Sequence, residues 1–168
     1  MPTSRFVVAC HGALACAAVL LLASETPRAQ AAAPATAAVV VNADVVPASI
    51  GIAQLRDILL GDRQHWAGRQ RVIVFRPASG PEWEVVLSRA LRMSASAYAK
   101  RLLTNRYAGE LAEGPRTVDS TLEVRRLVAR TSGGLGIVSA ADVDASVKLL
   151  RIDGLAPGDA GYVLATRD

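Results

Sequence analysis

The sequence predicts an α/β fold in which one mixed sheet is covered by helices. Short apolar runs of strand type alternate with stretches whose apolar residues recur at helical spacing. One example of each is joined directly, because the strand-like run 71–76 stops at Pro77 and a helical pattern follows from Gly80. The chain has no internal repeat and no heptad run, so we expect a single core.

The first 31 residues have the three parts of a secretory signal peptide. A short segment with Arg5 precedes the unbroken apolar run 13–23, and residues 29–31 form an A-x-A cleavage pattern. The alternative is a membrane anchor, but the run is shorter than the roughly 20 apolar residues that a spanning helix needs. We therefore predict a secreted, periplasmic protein with no stable membrane span after signal cleavage.

The domain organisation follows from this signal. We predict a signal peptide at 1–31, a flexible leader rich in Ala and Pro at 32–38, and one domain at 39–168. Both cysteines fall inside the signal, which leaves His65 as the one histidine of the mature chain. Disulfides, thiol catalysis and cysteine-ligated metals are then excluded, and we predict no cofactor.

The charge of the mature chain is mildly basic. Cleavage removes two basic residues and one acidic residue, so the net charge falls from +4 to +3. This balance suits an anionic small ligand, and it lacks the dense basic run of a nucleic-acid-binding protein. We expect no nucleic-acid partner.

The predicted elements carry recognisable start and stop signals. Helices are expected to begin near Gly51, Gly80, Ser94 or Ser96, and Ser120, with Gly61 ending the first. Strands are expected at 39–42, 71–76, 135–138, 147–152 and 162–165.

The best candidate site is the turn between the 71–76 strand and the helix after it. Ser79 and Glu82 have the spacing of a capping box, in which the Ser hydroxyl accepts from a free helix N–H. An oxyanion competes for the same donors, Gly80 permits close approach of the backbone, and Arg76 adds charged donors. The alternative is an ordinary strand–turn–helix corner with a solvated arginine.

The sequence contains no recognisable set of catalytic residues. The sequence has no G-x-S-x-G elbow, no P-loop and no set of histidines for a metal. Glu82 and Glu84 lie two residues apart, so a helix points them to different faces. We therefore expect a protein that is not an enzyme, and a secreted hydrolase ranks last among the functions considered.

Several short segments resemble the phosphate-type substrate-binding proteins of ABC transporters, which have the type II periplasmic binding-protein fold. The resemblance runs from about Val39 to Leu164. Its pieces are Val40-Val41-Asn42, Leu55-Arg56-Asp57-Ile58-Leu59-Leu60-Gly61, Trp66-Ala67-Gly68, Arg76…Ser79-Gly80, Gly134-Leu135-Gly136-Ile137-Val138 and Asp153-Gly154…Gly161-Tyr162-Val163-Leu164. Together these pieces cover one lobe of the family's fold.

The resemblance implies a binding function and a site. In that family an arginine and a Ser-Gly-Thr turn hold the oxyanion, which implies the same role for Arg76, Ser79 and Gly80. Pro81 stands where the family has Thr, and it supplies neither a hydroxyl nor an N–H. The implied partners are phosphate or a similar oxyanion, and an ABC transporter permease or a second copy of the chain. The alternative is a degenerate lobe that serves as a protein-interaction module without a ligand.

Overall fold

The protein was analysed as a computed structural model, which describes residues 35–111 and 113–166. The predicted signal peptide at 1–31 lies outside the described residues. The strands are β1 (Ala37–Val41), β2 (Ser49–Ile50), β3 (Ile73–Pro77), β4 (Arg116–Val118), β5 (Gly134–Ser139), β6 (Lys148–Leu149) and β7 (Arg151–Ile152). The α-helices are α1 (Ile52–Leu60), α2 (Pro81–Val85), α3 (Ala95–Tyr107) and α4 (Thr121–Arg130); α2 continues as a π-helix, Val86–Leu91, and Ala67–Arg69 and Ala140–Asp142 are 3₁₀ segments.

Five of the strands form a mixed sheet in the order β4-β3-β5-β1-β6. β3 is parallel to both β4 and β5, whereas β1 is antiparallel to β5 and β6. β2 and β7 form a separate two-stranded parallel sheet. The carboxyl ends of β3, β4 and β5 therefore lie at the same edge of the main sheet.

Helices cover both faces of the main sheet, so the predicted α/β fold with a mixed sheet between helices is confirmed. On one face, residues from α1, α2, the π-helix and α3 pack against Val39, Val41 and Val74. On the other face, α4 packs against Val40 and Phe75. The alternation along β1 and β3 follows from the two-residue period of a strand.

Local signals correctly predicted the helix boundaries at Gly51, Gly61, Ser94 and Ser120. Gly51 is the N-cap of α1 and Gly61 ends it in the left-handed conformation, at φ 84°. Ser94 and Ser120 each cap a helix, since their hydroxyls accept from the N–H groups of Ala97 and Glu123 at 3.2 Å. These caps depend on contacts within three residues, which explains why sequence alone locates them.

The ends of the domain differ from the prediction. β1 begins at Ala37, two residues before the predicted strand, and Ala37 and Ala38 are fully buried in the sheet. The end of the predicted leader 32–38 is therefore part of the first strand. Ala37 and Ala38 pair there with Ser139 and Val138 of β5.

The predicted strands near the carboxyl end are also wrong in part. The run 147–152 is divided between β6, which pairs with β1, and β7, which pairs with β2. The predicted strand 162–165 forms one isolated bridge, Thr36–Ala165, within the described residues. Leu164 still attaches to the sheet, because its carbonyl accepts from the Ala37 N–H at 2.9 Å.

None of the helices in the described part of the chain is both long and apolar enough to cross a membrane.

The close packing of α4 on the sheet depends on Gly136 in the middle of β5. A Cβ at Gly136 would lie 2.6 Å from a methyl of Val124 and 2.7 Å from a methyl of Val128. We predict that Gly136→Ala lowers the free energy of unfolding by about 1–3 kcal/mol, because α4 must move outward. Urea denaturation measures this change.

Gly114→Ala is the matched control for Gly136→Ala. Its added Cβ would lie 3.7 Å from a methyl of Leu111, which is an ordinary contact. The control should change the free energy of unfolding by less than about 0.5 kcal/mol. Equal losses in the two variants would show that α4 does not approach β5 this closely.

Tyr162 makes the stability of the domain fall at alkaline pH. Its buried hydroxyl donates to the carbonyl of Ala37 at 3.0 Å, and burial raises the pKa of Tyr162 well above its usual value. The folded state therefore keeps a proton that the unfolded state loses above about pH 10, so stability falls as pH rises through that range. We predict that Tyr162→Phe reduces this slope by up to about 1.4 kcal/mol per pH unit, measured by urea denaturation between pH 9 and 11.

Tyr107→Phe is the control for Tyr162→Phe, because Tyr107 is 84% exposed and losing its hydroxyl removes no buried group. The fall in the free energy of unfolding per pH unit should be the same in Tyr107→Phe as in the wild type. Identical slopes for Tyr162→Phe and the wild type would contradict the assignment.

Candidate functional site

The candidate site lies where β3 ends and α2 begins. Arg76 and Pro77 are the last residues of β3, and the three residues that follow form the turn into α2. The N–H of Ala78 donates to the carbonyl of Val118 at 2.8 Å, which attaches the turn to the end of β4. In α/β sheets, the carboxyl edge of parallel strands is the usual position for a ligand.

Gly80 is the N-cap of α2, and its backbone conformation requires glycine. Its φ of 124° and ψ of 160° fall in a region that is essentially closed to residues with a Cβ. Pro81 follows as the first helical residue, where its fixed φ is favourable and its missing N–H costs no helical hydrogen bond.

The predicted capping box at Ser79 and Glu82 is not formed. Ser79 precedes the cap by one residue, is exposed, and makes no side-chain hydrogen bond to α2. The positive φ of Gly80 is the physical reason, because it makes Gly80 itself the residue that enters the helix. The Ser79 hydroxyl therefore faces solvent beside the start of α2.

Arg76 lies against two aromatic rings. Its guanidinium carbon is 5.0 Å from the ring centroid of Trp83 on α2 and 5.5 Å from that of Tyr98 on α3. The two rings meet edge to face, with centroids 5.2 Å apart and an interplanar angle of 69°. Both rings are almost fully buried, so these cation–π contacts form in a partly desolvated setting.

Hydrogen bonding does not fully satisfy the Arg76 guanidinium. Nη1 donates to the carbonyl of Pro77 at 3.1 Å, whereas Nε is buried and has no partner among the described residues. No carboxylate of the described residues forms an ion pair with Arg76. A buried donor without a partner and a charge without a counter-ion are both unfavourable, and an anion would supply what is missing.

Tyr98 holds the second ring in place. Its hydroxyl donates to the carbonyl of Leu59 in α1 at 2.9 Å. Burial raises the pKa of Tyr98 well above its usual value, and the charge of Arg76 opposes part of that rise. The phenol therefore stays neutral and remains a donor to α1.

A concavity of about 360 Å³ opens at the same edge of the sheet. It is lined by Pro81 and Glu82 at the start of α2, together with residues beside the start of β1 and the end of β5, namely Ala35, Thr36, Ser139, Ala140 and Ala141. This space lies beside the first turn of α2, and Arg76, Ser79 and Gly80 do not line it.

Of the predicted site residues, Gly80 and Ser79 lie together in the exposed turn, and Arg76 packs against Trp83 in the first turn of the helix that this turn begins. Sequence reasoning missed Trp83 and Tyr98, which it assigned to core and helix packing. The seven-residue spacing from Arg76 to Trp83 is a local signal, since the intervening turn brings the helix back over the strand end. Tyr98 carries no such signal.

Other polar groups of the chain are engaged in structural roles. Asp44 accepts from the Ser132 hydroxyl at 2.5 Å and from the Gln70 amide at 3.0 Å, which joins three loops. The indole N–H of Trp66 is buried and donates to the Gly133 carbonyl at 2.9 Å. Across residues 35–111 and 113–166, no group of three His, Cys, Asp or Glu side chains is placed to hold a metal ion.

Comparison with solved structures places this arrangement among known folds. A Clostridium perfringens protein described as a phosphate ABC transporter substrate-binding protein, solved with bound phosphate, matches with a TM-score of 0.60 and 18% identity over 74% of this chain and 48% of its own. PstS from Borrelia burgdorferi matches with a TM-score of 0.63 and 14% identity over 80% of this chain and 56% of its own. An ABC-type phosphate transport receptor from Vibrio cholerae matches with a TM-score of 0.55 and 21% identity, over 79% of this chain and 54% of its own.

The chain has a PstS-like fold. The predicted resemblance to phosphate-type substrate-binding proteins is thereby confirmed at the level of the fold, and the chain spans about half the length of these structures. No protein-family model and no curated protein sequence matches the chain.

The contacts of Arg76 predict that replacing this arginine changes the stability of the fold very little. Arg76→Met keeps an unbranched side chain against the two rings and removes the unpaired Nε donor. The loss of the cation–π contacts and the relief of the unpaired donor should offset each other, so the free energy of unfolding should change by less than about 1 kcal/mol. Urea denaturation in anion-free buffer tests this expectation, and a loss above about 3 kcal/mol would mean that the fold itself needs the guanidinium.

Proposed function

We propose that this chain binds phosphate or a similar small oxyanion without transforming it. The bound oxyanion lies at the turn between β3 and α2 and accepts hydrogen bonds from Arg76, the Ser79 hydroxyl and the Gly80 N–H. The observation that carries the proposal is the Arg76 guanidinium, which lies against two rings and, within the described residues, lacks both a carboxylate partner and an acceptor for Nε. The PstS-like fold supports the same ligand class.

The geometry favours an oxyanion over other ligands for a physical reason. A contact with an aromatic ring uses none of the N–H donors of a guanidinium, and these donors point outward in the plane of the group. A tetrahedral oxyanion matches such in-plane donors, and the start of α2 adds N–H groups that point toward the turn. Pro81 contributes none of these, which limits the donor set to the three residues named above.

We further propose that the protein is secreted to the periplasm and acts with ABC-type uptake, as the PstS-like fold suggests. A single lobe leaves one side of the anion in water, which weakens binding. A permease or a second copy of the chain would cover that side.

Isothermal titration of the purified full chain with phosphate, at low ionic strength, tests the anion site. We expect weak binding, and a loss of affinity of about 10- to 150-fold in Arg76→Met, because charge-assisted hydrogen bonds contribute about 1.5–3 kcal/mol. Ser79→Ala should cause a smaller loss, since it removes one neutral donor.

Arg130→Met is the matched control for Arg76→Met. It removes the same charge from an exposed position on α4, on the opposite face of the sheet, and should leave the affinity unchanged. Absence of heat at millimolar phosphate with a folded protein would reject the proposal, as would wild-type affinity in Arg76→Met.

The second candidate function is a protein-interaction module that has lost its ligand. Pro81 favours it, because this residue removes one N–H from the first turn of α2. A folded protein that binds no phosphate but retains a specific partner from a periplasmic extract would support this function over the first.

A further inference from the structure

We propose that Trp83 and Tyr98 are positioning residues for oxyanion binding, which hold the Arg76 guanidinium in its binding orientation through cation–π contacts on both rings. The inference rests on the proposed function, but it assigns a role to two residues that do not touch the oxyanion. Neither ring needs to be polar for this role.

The first step of the argument is that Arg76 has little else to hold it. An arginine side chain has about 2 kcal/mol of rotamer entropy to lose when it is fixed, and the single hydrogen bond from Nη1 goes to the neighbouring Pro77 carbonyl. No ion pair within the described residues orients it. The two ring contacts, at 5.0 and 5.5 Å, are therefore its main restraint.

The second step is that the rings are themselves rigid. Trp83 and Tyr98 are 2% and 1% exposed, and they pack edge to face against each other. The Tyr98 hydroxyl is bound to the end of α1. A guanidinium in contact with such rings is held in a fixed position. Its side-chain entropy is therefore lost during folding rather than during ligand binding.

The third step concerns the geometry of the restraint. A cation–π contact acts on the charge of the guanidinium and uses none of its N–H donors. An ion pair with a carboxylate would also fix the side chain, yet it would use those donors and cancel the charge. Aromatic rings are thus suited to orient an arginine that must still bind an anion.

The experiment compares Trp83→Leu with Trp83→Phe in the full chain. Phosphate affinity is measured by titration calorimetry, and the Nε–Hε signal of Arg76, assigned by its loss in Arg76→Lys, is followed by NMR without ligand. We expect Trp83→Leu to weaken phosphate binding about tenfold and to move the Arg76 signal toward those of exposed arginines, because a cation–π contact in a desolvated site is worth about 1–2 kcal/mol. Trp83→Phe retains a ring, so its phosphate affinity and its Arg76 signal should both be close to those of the wild type.

Leu87→Ala controls for lost packing. Leu87 is 2% exposed in the same helical segment, and its truncation should lower stability by about 2–5 kcal/mol without changing the phosphate affinity or the Arg76 signal. If Trp83→Leu does not fold, Tyr98→Leu and Tyr98→Phe form the equivalent pair.

The outcomes separate the two proposals. An Arg76 signal that is unchanged in Trp83→Leu, or equal phosphate affinities in Trp83→Leu and Trp83→Phe, overturns the positioning role. A wild-type protein without phosphate binding overturns the proposed function, and the positioning of Arg76 is then decided by the NMR signal alone.

Discussion

The contact on which the candidate site depends is the cation–π contact of Arg76 with Trp83 and Tyr98. It joins the carboxyl end of β3 to α2 and α3, so a strand and two helices meet at one guanidinium. Burying part of a charged group is unfavourable unless nearby groups compensate for the lost water. Here the two rings supply part of that compensation, and Nη1 donates to the Pro77 carbonyl, while the buried Nε has no partner within the described residues.

The position of α3 shows how this contact is maintained. Only Tyr98 and Asn105 of α3 are fully buried, and both side chains donate to carbonyls in the last turn of α1. Those carbonyls have no partner within their own helix, so α3 satisfies groups that α1 leaves free. The second ring of the stack is therefore positioned by the end of another helix, and the site depends on how α1 and α3 pack.

Sequence alone predicted those parts of the fold that depend on neighbouring residues. The caps at Gly51, Ser94 and Ser120 involve groups a few residues apart, and the buried strands are marked by their apolar runs. β2 and β4 have two or three residues each and exist because a partner strand lies beside them. Nothing within so short a segment distinguishes it from a loop.

The candidate site divides in the same way. Arg76, Ser79 and Gly80 were predicted together because they are close in sequence; the structure places Arg76 near the end of β3 and Ser79 and Gly80 in the turn that follows it. The capping role of Ser79 was wrong, because the conformation of Gly80 was not evident from its residue type. Tyr98 lies 22 residues after Arg76, so their contact depends on the packing of α3 and could not be predicted from spacing.

The combination of few donors and a fixed arginine has a consequence for binding. Pro81 removes one backbone donor from the turn between β3 and α2. If this turn binds an oxyanion as proposed, affinity depends on how little entropy is lost when the ligand arrives, rather than on the number of hydrogen bonds. A guanidinium that two buried rings already hold reduces that loss.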